Sequence, residues 1–173
     1  LKKEPYSKKD TGTTIKWKPD IEVFTDINVP VEYYRNTLKR QAIVNPNVVF
    51  VLKTQQNGKF EEEIFVYKNG IEDYAREIVG DDALTDIQLW TADRRGRDRA
   101  DKPEYKVRLN VACCFSNKNN LLEYYHNSSW LEYGGSPEKA VRSAFVSQID
   151  AYLKQNSKYL KNESKITFQD VQD

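Results

Sequence analysis

Residues 48–70 read VVFVLKTQQNGKFEEEIFVYKNG, and no other stretch constrains the fold as tightly. Two runs rich in β-branched and aromatic residues flank Asn57-Gly58. That pair suits a two-residue turn, so the pattern predicts a β-hairpin. Before it, VPVEYYRNTLKRQAIV carries Val31, Tyr34, Leu38 and Ala42 at helical spacing, with Pro30 at a first-turn position and the Asn45–Asn47 turn NPN as terminator. After it, GIEDYAREIV sets Ile71, Tyr74, Ala75 and Ile78 on one stripe of a short helix.

The rest of the chain extends this alternation. TGTTIKWKPD reads as a half-buried strand, Ile15 and Trp17 against Lys16 and Lys18, ended by Pro19. LTDIQLWTA reads as a strand with imperfect alternation, and the charged DRRGRDRADKP as a loop. In EYKVRLNVACCFS, Tyr105, Val107, Leu109 and Val111 face one side and Lys106, Arg108 and Asn110 the other. NNLLEYYHNSSW suits a further strand paired back across a Ser116–Asn120 turn. Gly134-Gly135 then lead into a long helix, with Ser136 as N-cap, Pro137 first inside it, and Val141, Ala144, Phe145, Gln148, Ile149 and Tyr152 as its stripe. KYLKNES is a short helix or turn. The order β-α-β-β-α-β-β-β-α predicts an α+β fold, organised as a polar linker over 1–10 and one domain over 11–173.

Composition removes several function classes. A formal charge of +1 gives no general attraction to nucleic acid, so any such binding needs a local patch. No apolar run approaches the roughly 20 residues that span a bilayer, and the reading is a cytoplasmic protein with no membrane partner. Cys113 and Cys114 are neighbours; on a strand they point to opposite faces and act as small apolar residues rather than a disulfide. The 173 residues include no methionine. Thr167 can cap a helix at the end of the chain with Asp170 closing a capping-box-like pair, so a truncated piece of a longer polypeptide is expected.

Few residues carry chemistry. His126 is the one histidine and stands in a tyrosine-rich strand, where a surface or core role outweighs a catalytic one. Ser128 and Ser129 are too near it on one strand for a triad. Glu61, Glu62 and Glu63 alternate across a strand and do not converge on a metal, and the adjacent cysteines lack the spacing of a zinc site. The glycine pair invites comparison with a phosphate cradle, but Pro137 removes a donor N–H and Glu138 repels an anion. The reading is a corner. Arg94, Arg95, Arg97 and Arg99 are the strongest candidates for phosphate contact, with Asp93, Asp98 and Asp101 offsetting them; a solvated charged loop is the competing account.

Taken in order, GTTIKWKPD, TLKRQAIVNPNVVFVLK, FVYKNGIEDYAREI and the stretch from VRLNVACCFS to QIDAYL resemble the transducer domain of DNA gyrase B and of its counterpart in topoisomerase IV. The resemblance rests on the Gly-Thr strand ending in Pro-Asp, on Tyr67, Gly70 and Ile71 at the start of the short helix, and on Gly134, Gly135, Phe145 and Tyr152. It implies a mixed sheet with a left-handed β-α-β crossover backed by helices, a fold shared with a domain of a ribosomal protein. It also implies a type IIA DNA topoisomerase as parent, using ATP and Mg2+ and passing one duplex through a break in another with an A-type DNA-cleaving subunit. Homodimerisation would come through other domains. The chain itself would hold no catalytic, cofactor or metal residue, and the family's nucleotide-contacting lysine lies beyond it. His126-Asn127-Ser128-Ser129-Trp130 and Ser136-Pro137 depart from the family pattern, leaving gyrase, topoisomerase IV and a divergent relative open. Transducer-like domains of mismatch-repair and chaperone ATPases, and an RNA-binding module of the same fold, are the alternatives.

Overall fold

The computed structural model describes residues 5, 7, 9 and 11–172. The linker expected over 1–10 therefore lies mostly outside the described residues. The strand expected over 11–20 does not form: the segment joins no ladder, and Ile15 and Trp17 are exposed. Alternation alone cannot hold a strand whose N–H and C=O groups find no neighbouring edge. Trp17 instead meets Tyr34 edge-on, ring centroids 6.0 Å apart.

The packed centre is built from two turns docked on each other. Helix α1 (Val31–Val44) starts after Pro30 and ends at Asn45, whose N–H donates to the Gln41 carbonyl. Strands β1 (Phe50–Gln56) and β2 (Lys59–Phe65) pair antiparallel from Phe50↔Phe65 to Gln56↔Lys59, leaving Asn57-Gly58 as the turn with both φ positive, as the sequence predicts. Helix α2 (Ile71–Val79) follows. Asn47 donates its N–H to the Tyr67 carbonyl at 3.1 Å and its side-chain amide to the Lys68 carbonyl at 3.2 Å, tying the end of α1 to the start of α2. Gly70 sits at φ +59, ψ −124, and a Cβ there would meet Pro46 Cγ at 2.9 Å and the Ile43 carbonyl oxygen at 3.0 Å. Only glycine fits that approach. Ala42, Ile43 and Tyr67 are buried in the joint, with Val44, Phe50, Phe65, Ile71 and Tyr74 packed around them.

Strands β3 (Gln88–Gly96) and β4 (Tyr105–Cys113) form a second antiparallel ribbon, from Gln88↔Cys113 to Gly96↔Tyr105. The ribbon absorbs Arg94 and Arg95, which the sequence reading places in a loop. Full pairing of the Tyr105 run requires a partner for every residue, and β3 supplies it by extending. The further strand expected over NNLLEYYHNSSW shrinks to β5 (Tyr125–His126) and β6 (Ser129–Trp130), which pair with each other around Asn127 at φ +53 rather than with β4.

Helix α3 (Gly135–Gln155) begins one residue before the expected cap: its N-cap is Gly134, not Ser136. Gly134 and Gly135 stand at φ +65 and +70, and the turn they make already closes the helix entrance. Val141, Phe145 and Ile149 are half-buried as expected, joined by Arg142, Val146 and Leu153 and by the buried Asp150, whereas Ala144, Gln148 and Tyr152 are exposed. The stripe turns because Asp150 anchors the returning chain, accepting hydrogen bonds from Tyr159 Oη at 2.9 Å and Lys154 Nζ at 2.8 Å. KYLKNES is a turn. Helix α4 (Gln169–Gln172) is preceded by the expected pair, Thr167 N and Oγ1 both donating to Asp170 Oδ2, at 2.7 and 2.6 Å.

The fold is α+β. Among the described residues the strands form three two-stranded antiparallel sheets, and the crossover implied by the resemblance is not shown. The accessible surface is 14,933 Å², against about 8,800 Å² for a compact chain of this mass. Much of the apolar face of each ribbon is open to solvent.

Candidate nucleic-acid interface

The β3–β4 ribbon is where the sequence concentrates basic residues, and its register sorts them. Alternation places Trp90, Ala92 and Arg94 on one face with Val107, Leu109 and Val111, and Thr91, Asp93 and Arg95 on the other with Lys106, Arg108 and Asn110. The division of β4 into apolar and polar sides is the one the sequence predicts. The polar face reads rung by rung. Thr91 Oγ1 meets Asn110 Oδ1 at 3.3 Å; Asp93 accepts from Arg108 Nε at 2.9 Å and from its Nη2 at 3.4 Å; Arg95 lies directly opposite Lys106. The Arg108 guanidinium holds the Asp93 carboxyl below the usual carboxylate range, and Asp93 in turn raises Arg108.

The four predicted arginines do not share one surface. Arg94 points to the apolar face and donates to the Asp93 carbonyl at 3.0 Å. Arg97 pairs with Glu104 at 3.3 Å and donates to the Ala100 carbonyl at 3.2 Å; Arg99 pairs with Asp101 at 3.5 Å. The connecting segment 97–104 balances Arg97, Arg99 and Lys102 against Asp98, Asp101 and Glu104. Excess charge gathers instead at the distal end of the ladder, where an open groove of about 550 Å³ is lined by Asp93, Arg94, Arg95, Lys106, Val107 and Arg108. Lys106, opposite Arg95, and Arg108, opposite Asp93, are the groove residues that sequence reasoning missed. The signal was present in the alternation of EYKVRLNVACC, but only the register shows that Lys106 faces Arg95 while Arg108 faces Asp93.

The other candidates resolve into structure. Both amides of the glycine pair are occupied, Gly134 N donating to the Leu131 carbonyl at 3.0 Å and Gly135 N to the Tyr133 carbonyl at 2.6 Å. The Glu138 side chain folds over Gly134 so closely that a Cβ there would come within 2.7 Å of Glu138 Cβ. A carboxylate over filled amides repels phosphate, so the pair is a corner, as read from the sequence. Glu63 turns inward to Arg35, whose Nε and Nη2 each donate at 2.6 Å, while Glu62 turns outward to Lys53 at 2.5 Å. His126 is exposed on β5. Cys113 and Cys114 are free thiols, and burial pushes Cys113 up.

A second cluster joins the helices. Lys39 Nζ and Tyr67 Oη both donate to Glu77, each at 2.7 Å; Tyr125 Oη donates to Glu123 at 2.9 Å. Arg40 stacks over the Trp130 ring at 3.5 Å, and Gln41 Nε2 donates to the Ser128 carbonyl at 2.7 Å. These contacts fasten α1 to α2 and to the β5–β6 turn. Burial pushes the Tyr74 hydroxyl up to about 12, helped by Glu123, and raises Tyr67 and Tyr125 as well.

Comparison with known proteins gives this geometry its context. Residues 70–173 match the family described as DNA gyrase B. Over 95% of its length the chain is 26% identical to DNA gyrase B of Campylobacter jejuni, covering 20% of that protein. DNA gyrase B of Streptococcus pyogenes serotype M1 is 26% identical over 94% of the chain, and that of Staphylococcus epidermidis 23% over 94%, each with 24% of its own length covered. The chain thus spans 20 to 24% of the length of these relatives.

Proposed function

This chain belongs to the DNA gyrase B family, in its transducer region, and on that premise we propose that it couples ATP binding and hydrolysis to DNA-gate movement and duplex passage in a bacterial type IIA DNA topoisomerase. The observation that carries the reading is the match over residues 70–173, extended to nearly the whole chain by the individual relatives. In this reading the chain holds no active site of its own. ATP and Mg2+ bind elsewhere in the parent, which dimerises through other domains, works in the cytoplasm and acts with a DNA-cleaving A-type subunit. The finer fold, a mixed sheet with a left-handed β-α-β crossover, belongs to the same proposal.

The α1–α2 joint supports a mechanical role. A module that transmits movement needs a part that does not yield, and Gly70, the Asn47 bonds and the Glu77 cluster bind three segments into one body. The ribbon supports the DNA side, with Arg94 and Arg95 as the residues proposed to approach the duplex, since Arg97 and Arg99 are engaged by Glu104 and Asp101. The test uses a topoisomerase reconstituted with this chain in its transducer position. Loosening the joint with Asn47→Ala is expected to leave nucleotide binding unchanged while strand passage per ATP hydrolysed falls several-fold. The isolated chain is expected to hydrolyse no ATP. Rapid hydrolysis by the isolated chain, or full coupling in the loosened enzyme, overturns the reading.

A further inference from the structure

We propose that Arg95 and Lys106 form a two-point clamp for phosphate groups of a nucleic-acid backbone on the polar face of the β3–β4 ribbon, and that Arg97 and Arg99 take no part in it. The proposal rests on the DNA reading above and narrows it to two side chains, one of which the sequence did not single out.

Cross-strand neighbours in an antiparallel pair stand with Cβ atoms about 5 Å apart, and like charges placed directly opposite destabilise the ladder. Arg95↔Lys106 is such a rung. The adjacent Asp93↔Arg108 rung is closed by an ion pair at 2.9 Å, and the next joins Thr91 to Asn110. Among the described residues neither Arg95 nor Lys106 has an acidic partner, while Arg97, Arg99 and Arg108 each have one. A ladder that satisfies its charges on one rung and opposes two cations on the next departs from local consistency, and such departures mark functional positions. The groove lined by both residues lies open at that rung. An anion entering it removes the repulsion and meets two cations. A phosphate fits both as a point charge for lysine and as a planar, two-oxygen acceptor for arginine.

The shared chemistry is phosphate, and two sources are separable: a duplex backbone or free phosphate. Binding of a short labelled duplex to the 173-residue chain is followed by fluorescence anisotropy across a salt series. Each backbone contact contributes about 0.9 to the slope of log K against log salt. Arg95→Gln and Lys106→Gln are each expected to lower the slope by about 0.9 and the double variant by about 1.8, with Arg97→Gln and Arg99→Gln leaving it unchanged. Arg95→Glu restores an opposite-charge rung, so it is expected to raise the melting temperature of the ribbon while weakening duplex binding. That opposition of signs separates lost contact from lost fold. An unchanged slope in the double variant overturns the proposal, as does an equal loss from Arg97→Gln. Saturable binding of inorganic phosphate alone, abolished by the same substitutions and as tight as the duplex, overturns the backbone as the source. None of these outcomes touches the coupling reading, which is judged by strand passage per ATP.

Discussion

The α1–α2 joint and the β3–β4 ribbon are held together by different physics. In the joint, apolar side chains leave water, backbone turns exchange hydrogen bonds, and a glycine lets two loops approach within van der Waals contact. The ribbon has a complete nine-rung ladder but keeps Trp90 50% and Leu109 49% exposed. Its order comes from the backbone, and its side chains remain available. The coupling role proposed above calls for such a division, one part to transmit force and another to touch a polymer: yielding at the joint costs core contacts, whereas the ribbon's side chains stand open to a partner.

Matched truncations test that separation, and they carry the largest effect. Ile43 is 1% exposed, and Ile43→Ala removes buried methylenes with little room for collapse, costing about 2–5 kcal/mol. Leu109→Ala removes a similar side chain from a half-open face and is expected to cost about 1 kcal/mol or less. Urea denaturation of both variants measures the gap. Equal costs would mean that the ribbon's apolar face is covered as thoroughly as the joint.

Glycine substitutions give the next contrast. Gly70→Ala forces a side chain into a φ, ψ region that excludes it and against the Ile43 carbonyl, at about 1–3 kcal/mol. At Gly96 a new Cβ meets the far end of the Tyr105 ring at 2.7–2.8 Å, with no positive φ to strain. That ring is exposed and swings aside, so Gly96→Ala is expected to change the melting temperature little. A ribbon variant as damaged as the joint variant would locate rigidity in the wrong half.

These two regions also differ in how far the sequence discloses them. Asn57-Gly58, the Asn45–Asn47 turn and the β4 alternation were all legible, because each is a local preference that tertiary packing agrees with, whereas the Tyr67–Ile71 motif was legible only through the family resemblance. The glycine corner was legible too, since Pro137 and Glu138 already argued against an anion. The extent of β3 was not, because arginines carry no strand signal and only pairing with the Tyr105 run recruits them. The pairing of Arg95 with Lys106 depends on register, which a one-residue slip would invert. The expected strand at Ile15–Trp17 failed for the converse reason: its pattern was correct, but no edge receives it.

Titration separates the regions by sign. Burial pushes Glu77 up, but the Lys39 ammonium and the Tyr67 hydroxyl outweigh it and leave the carboxyl below its ordinary value of 4.5. A depressed carboxyl contributes stability above its unfolded value, so the joint loses that contribution as pH falls below 4.5. Tyr74, pushed up to about 12, works in the other direction: its contribution is complete below pH 10 and is lost as pH rises from 10 toward 12. Joint stability is therefore expected to decline at both ends of a pH series of thermal melts. Tyr74→Phe keeps the ring and removes the ionisable hydroxyl, so it is expected to flatten the alkaline limb alone. An alkaline limb unchanged in that variant would assign the titration to another raised hydroxyl, Tyr67 or Tyr125, rather than to Tyr74.

The smallest expected effect is also the most discriminating for the ribbon, because it asks two neighbouring rungs to respond oppositely. At about 5 Å two like charges repel by at most about 0.8 kcal/mol in bulk water. Raising salt from 0.1 to 1 M shortens the screening length from about 10 to about 3 Å, which removes roughly 0.3 kcal/mol of that repulsion. Amide exchange near Arg95 and Lys106 is then expected to slow by about 1.7-fold, since local opening no longer relieves as much strain. The Asp93–Arg108 rung loses attraction under the same screening, so exchange at its amides is expected to quicken by a similar factor. Amides around Ile43 and Tyr67, protected by burial rather than exposed charge, serve as the internal reference and are expected to hold steady. If both rungs shift together, the change is a general salt effect and the charge alternation along the ladder contributes nothing; if they diverge, the ribbon carries a localised unmet demand for an anion in its unbound state.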